Sequence, residues 1–149
     1  MTVDATPDTE PYVLFTLAGT AYAVPSRDVR RMEMVESVTP VPNSPPFVEG
    51  IVFSRGQVVP AVNLRRRFGF ERAEYDLKTR LIVVAHGDRL VGLIVDSARE
   101  FVTIPTESIQ PPPEAMAATS GRYLRGVADV GGRVILVLDV AGVLDASAI

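Results

Sequence analysis

Few residues in this chain are equipped for chemistry. A single histidine, His86, serves all 149 residues and cysteine is absent, so thiolate ligands, cysteine nucleophiles and disulfides drop out together. His86 stands before Gly87-Asp88 between two apolar runs, the place of a solvated hairpin turn, where nothing holds a general base against a reacting group. Asp96 and Glu100 read as solvated strand ends. No phosphate-cradling glycine loop, His-Glu-x-x-His helix or Gly-x-Ser-x-Gly elbow occurs. The reading assigns no catalytic residue, no metal and no cofactor.

Two arginine features remain. Arg65-Arg66-Arg67 before Phe68 is the one basic cluster, and Glu71, Glu74 and Asp76 follow closely, so a solvated or ion-paired turn is expected and not a nucleic-acid surface. With a formal net charge of −3, neither nucleic acid nor an anionic membrane is an expected partner. Arg55 is different, because it precedes Gly56 at a tight turn between apolar strands. Such a turn displays a planar donor fork suited to recognition.

Short valine-rich runs must position these residues. Twelve prolines and eleven glycines cut the chain into pieces too short for a helical architecture, which makes the fold class all-β. Strands are expected at Tyr12–Leu17, Ala21–Val24, Val48–Phe53, Val58–Val62, Leu81–Ala85, Leu90–Val95, Glu100–Ile104, Val127–Asp129 and Val134–Leu138. Pro60 should mark an edge or a bulge, since it cannot donate to a ladder. Ser26 is expected to cap a short helix after Pro25, with Val29 and Met32 on one face, and Asp139 to cap another. The acidic start lacks the apolar core of a signal peptide, and no apolar run approaches the roughly 18 residues of a membrane span; a cytoplasmic protein is expected.

An internal repeat organises the chain. Phe47-x-x-Gly50 and Arg55-Gly56 recur as Tyr123-x-x-Gly126 and Gly131-Gly132, with offsets 126 − 50 and 132 − 56 both equal to 76. Gly19 and Gly87 stand 68 apart in two hairpins (87 − 19). Each half then reads as hairpin, connection, aromatic-x-x-Gly strand, tight turn and strand. That is enough for two SH3-like five-stranded β-barrels sharing a core, with short helical segments. Residues 1–11 form a flexible N-terminal segment and 12–145 a single domain, with interlocked subdomains at roughly 12–80 and 81–145.

The ordered series Phe15-Thr16-Leu17, Tyr22-Ala23-Val24-Pro25, Val29, Val41-Pro42, Pro45, Val48-x-Gly50, Arg55-Gly56-x-Val58-x-Pro60-x-Val62-x-Leu64-Arg65-x-Arg67-Phe68-Gly69 and Val91-Gly92-Leu93-Ile94-Val95-Asp96 resembles the CheW family over about residues 12–145. That resemblance implies a non-enzymatic adaptor between the cytoplasmic tips of chemoreceptors and the regulatory domain of a CheA-type histidine kinase. It would be recruited to membrane arrays through these partners without inserting into the bilayer. A receptor helical hairpin would lie in an apolar groove between the barrels. Residue by residue, the resemblance implies receptor binding at Val29, Gly50, Arg55, Gly56, Leu81 and Phe101, and a kinase or ring interface at Gln110, Glu114 and Ala115.

Five positions depart from the family pattern. Arg31 replaces a frequent acid, so two cations would face each other at Arg55 unless Glu33 or Glu36 substitutes. Phe53 replaces an asparagine, Asn63 an aspartate, and Gln110 and Ala115 a basic and a bulky apolar side chain. An adaptor of another chemosensory pathway, such as one for twitching motility, and a small-ligand-binding barrel are the alternative readings.

Overall fold

A computed structural model describes residues 8–114 and 121–144. Its strands are β1 (Thr9–Leu17), β2 (Thr20–Pro25), β3 (Val29–Met34), β4 (Val48–Ser54), β5 (Gln57–Asn63), β6 (Arg80–His86), β7 (Arg89–Val95), β8 (Ser97–Pro105), β9 (Leu124–Val130) and β10 (Arg133–Leu138). Two single-turn helices, α1 (Leu64–Arg67) and α2 (Val140–Val143), follow β5 and β10. The strands form two five-stranded sheets, in orders β8-β1-β2-β10-β9 and β3-β6-β7-β5-β4. All nine expected strands are present. β1 starts at Thr9 and pairs with β8 from Thr9–Pro105 onward, so residues 9–11 are strand and not part of a flexible segment.

The sheets do not divide at residue 80. Each repeat contributes its hairpin to one sheet and its other three strands to the other: β1–β2 join β8, β9 and β10, while β6–β7 join β3, β4 and β5. Parallel pairs stitch the exchange, with Ala61 opposite Gly92 in one sheet and Val137 opposite Ala23 in the other. These pairs show that the hairpin offset is 69 (92 − 23), one more than the glycines suggest. The reason lies in the turns: Gly19 follows Ala18 as the second residue of its turn, whereas Gly87 is the first of its own.

Period-two alternation decides which side chains meet. Val13, Phe15 and Leu17 enter a central core shared with Val84, Leu93 and Val95 of the other sheet, while Tyr12 and Leu14 face a separate cluster with Ile135 and Val137. Pro60 sits inside a central strand without harm. Ile51, its partner on β4, directs both backbone groups away to Thr39, so that pair is non-hydrogen-bonded, and on the other side the parallel ladder to β7 begins only at Ala61, so no donor is called for at Pro60.

The expected helix after Pro25 is only a 3-10 turn, Ser26–Asp28, and Val29 opens β3. Val29 and Met32 do share a face, but through a register shift: Val29 lies opposite Val84 and Arg31 opposite Val83, leaving Arg30 as the extra residue. The bulge restores the face that a helical turn would have given. At the chain's other end Asp139 caps α2 as expected, accepting from the Gly142 amide at 3.3 Å, and Asn63 caps α1 in the same way from Arg66.

The arginine cluster divides three ways. Arg66 is exposed; Arg65 holds Asp96 through Nε at 2.8 Å and an η nitrogen at 2.6 Å; Arg67 is buried. Asp96 is therefore no free strand end. Burial works to raise its carboxyl, and the hydrogen bonds from Arg65 and the Ala18 amide outweigh that, leaving it below the ordinary carboxylate range. A carboxyl lowered in the folded state adds stability above its unfolded pKa, and this is lost as pH falls through the folded value. Asp96→Asn is expected to cost about 1 kcal/mol at neutral pH. The difference from the parent should close in urea titrations taken below the carboxylate range; a difference constant down to acid pH would assign the loss to packing.

Candidate functional site

The second sheet is open between its edge strands, and three side chains span the opening. Arg31 on β3 donates through Nε to Ser54 Oγ at 2.7 Å and through an η nitrogen to the Ser54 carbonyl at 3.1 Å. Ser54 Oγ donates in turn to Glu33 at 2.8 Å, and Glu33 lies 3.6 Å from Arg31. The like-charge encounter expected between Arg31 and Arg55 does not occur, because Arg31 is committed to Ser54 and Glu33. Glu33 supplies the substitute acid. Ser54 carries no signal of this role in the sequence, since the role exists only where the two edges meet.

This clamp fixes the last residue of β4 before the turn. Arg55 and Gly56 then have φ of 51° and 79°, the paired positive values of a type I′ hairpin, which strongly favours glycine or asparagine. Arg55 is exposed, with no side-chain hydrogen bond or ion pair among the described residues, so the fold holds an arginine in a left-handed conformation costing about 1–2 kcal/mol. The repeat-equivalent turn is Gly131-Gly132, with φ of 61° and 83°. The same contrast appears beside the turn. Phe53 is 76% exposed and pairs with exposed Val58, whereas the equivalent of Phe53 in the second repeat is Asp129, which accepts from the Gly132 amide.

Below the clamp lies a groove of ≈ 530 Å³ bounded by the Glu33–Ser37 stretch on one side and Ile51–Phe53 on the other, with Leu81 at its floor. Leu81, Phe53 and the Arg55 turn thus share one region. Val29 points into the central core and lies on the opposite face of β3 from Arg31. Phe101 is 68% exposed but belongs to β8, at the edge of the other sheet. Gly50 is buried, and a β-carbon there would press into the Thr39 carbonyl and come within 3.0 Å of the Pro40 α-carbon. Gln110 crosses Gly126 in the equivalent way, exchanging backbone hydrogen bonds of 2.9 and 2.7 Å with Val127. Glu114 is exposed and Ala115 lies outside the described residues.

His86 is exposed on a shallow cleft with Asp28, Asp139, Arg27 and Arg125. Three of those groups have other duties: Asp139 caps α2, and both arginines pair with Glu10. Among the described residues no three His, Cys, Asp or Glu side chains gather in a way that would hold a metal ion, and no helix is long and apolar enough to cross a membrane.

Exchanged hairpins, a groove left open between sheet edges and an arginine displayed at a strained turn define a protein-interaction module. The CheW-like domain model matches residues 11–148, and the chain belongs to that family. It is 30% identical over 135 residues to the chemotaxis protein CheW of Klebsiella aerogenes, covering 91% of this chain and 81% of that one. Similarity extends to protein FrzA of Myxococcus xanthus, at 30% identity over 89% of this chain and 81% of the relative. Among solved structures, the scaffolding protein TtCheW of Thermoanaerobacter tengcongensis superposes with a TM-score of 0.85 at 29% identity, covering 94% of each chain. The chain is a CheW-like scaffold of chemotaxis-type signalling.

Proposed function

We propose that this scaffold joins chemoreceptor cytoplasmic tips to a CheA-type histidine kinase and catalyses no reaction itself. It sits in the cytoplasm and reaches the membrane array through those partners. The observation that carries the reading is Arg55, a long cation kept at positive φ where the equivalent turn has glycine. Strain retained at an exposed position, with no side-chain hydrogen bond or ion pair among the described residues to offset it, points to a contact outside the chain. The receptor tip engages the Arg55-Gly56 turn, Phe53 and the Leu81 groove, with Phe101 as a further apolar contact. Val29 and Gly50 act from beneath by shaping β3 and β4. Gln110, Glu114 and Ala115 belong to the kinase or ring contact.

Arg55→Gly separates binding from folding. Glycine relieves the left-handed backbone, so stability is expected to hold or rise by up to about 1 kcal/mol. Affinity for a receptor-tip fragment should fall by about 1–3 kcal/mol, as for an anchoring interface arginine. Calorimetric titration with the tip fragment and with the kinase regulatory domain reads both partners. Undiminished tip affinity in the variant would remove Arg55 from the contact, and failure of the parent chain to bind either partner would remove the adaptor reading.

A further inference from the structure

The two halves of the fold treat one position differently. Tyr12 and Leu81 are repeat equivalents, opposite Pro25 and Ile94, with 81 − 12 and 94 − 25 both 69. Tyr12 is fully buried, its hydroxyl accepting from Arg125 and lying beside Glu10, and it closes its half of the core. Leu81 is smaller and only 3% exposed, packed with Val52, Val83 and Ile94, and it contributes to the lining of the ≈ 530 Å³ groove between the sheet edges. The open groove has apolar walls at Met34, Val35, Ile51 and Phe53, and the charged residues lining it are both acids, Glu33 and Glu36. Glu33 is engaged by Ser54 and Arg31. Glu36 is exposed and has no ion-pair partner among the described residues.

We infer that the groove selects an amphipathic helix whose apolar ridge is flanked by lysine or arginine, the cation docking on Glu36. Resting on the adaptor reading, this adds the chemistry of the helix the site accepts. Apolar side chains at i, i+3 or i+4, and i+7 form one ridge able to enter a groove floored by leucine. A lysine or arginine beside that ridge lays its methylene stem along Met34 or Phe53 while its charge reaches the rim. A glutamate in the same place meets Glu36 as a like charge, which the groove rejects.

The test uses two synthetic helical peptides of about 18 residues, five turns, sharing one leucine ridge and flanked by lysine in one and glutamate in the other. Fluorescence anisotropy with the full chain should give at least about tenfold tighter binding of the lysine peptide at low salt. Chemical-shift changes should concentrate at Met34, Ile51 and Leu81. Glu36→Lys should abolish or reverse the preference. Glu107→Lys makes the same charge change at an exposed turn after β8 and should leave the preference intact. A preference that moves equally in both variants, or shifts centred away from Leu81, would overturn the inference. Receptor-tip capture by the parent chain is read separately: if it persists while the peptides show no cation preference, the selectivity fails and the adaptor reading stands. If it is absent, the adaptor reading fails first.

Discussion

Gly50→Ala is expected to be among the most damaging substitutions of small size, lowering stability by about 3–5 kcal/mol, or roughly 10 °C in Tm for a chain this long. Two effects combine. Gly50 has φ of 151°, a conformation that L side chains rarely adopt. Its added methyl also points into backbone, the Thr39 carbonyl and Pro40 α-carbon, and backbone held at both sides cannot swing aside as a side-chain tip can. Thr39 is fixed there because it exchanges hydrogen bonds of 2.9 and 2.8 Å with Ile51, so retreat of the crossing segment sacrifices both. Gly126→Ala should show the steric part of this loss without the backbone part, since its β-carbon meets the Gln110 carbonyl and Ile109 while its φ is not positive. Chemical denaturation gives the stabilities, and receptor-tip affinity corrected for the folded fraction gives the role. A Gly50→Ala protein that stays folded but loses the tip would make Gly50 a contact residue instead of a clearance for the crossing chain.

The glycine repeat was readable because a close backbone crossing admits only one residue type. Gly50 and Gly126 keep their 76-residue spacing for the same steric reason, and the capping residues Asn63 and Asp139 follow at that spacing too. Strand positions were readable from alternation. What local pattern does not encode is which strands pair across long separations, so the exchange of hairpins between repeats was not legible. β3 imitates a helix in sequence for a definite reason: Ser26 after Pro25 is a good helix cap, and the Arg30 bulge places Val29 and Met32 on one face as a helix would. The site was half legible. Arg55-Gly56 announces a turn, but Ser54 and Glu33 gain their roles only through meeting Arg31 across an opening that no sequence window spans. Comparison of the repeats was the available signal, since Phe53 and Arg55 stand where Asp129 and Gly131 do the plainer job.

Arg67 shows the same limit from inside the core, and its replacement is the second large expected effect. Within an Arg-Arg-Arg run it reads as solvated, yet only 9% of it is exposed. Its guanidinium lies 4.4 Å from the ring centroid of Phe47 and 5.1 Å from that of Tyr123. These are the two aromatics of the repeated aromatic-x-x-Gly motif, 76 apart (123 − 47). Its Nε donates at 3.0 Å to the carbonyl of Val143, which is Arg67's own repeat equivalent at the end of α2. One cation thus ties α1 to α2 and both motif aromatics to each other.

Burying an arginine with no carboxylate paired to it among the described residues is costly. The faces of two rings and a helix-terminal carbonyl are the groups that compensate. Arg67→Ala removes them together, leaves the Val143 carbonyl unpaired and opens a cavity between the rings, for an expected loss of about 3 kcal/mol. Arg67→Met decides the mechanism, because it keeps most of the volume and discards the charge and the donor. If the cation–ring and carbonyl contacts matter, Met should still cost about 1–2 kcal/mol and Arg67→Lys should fall between Met and the parent. If only volume matters, Met should match the parent within error in urea denaturation. That result would reduce Arg67 to a filler and remove it as the link between the two repeats.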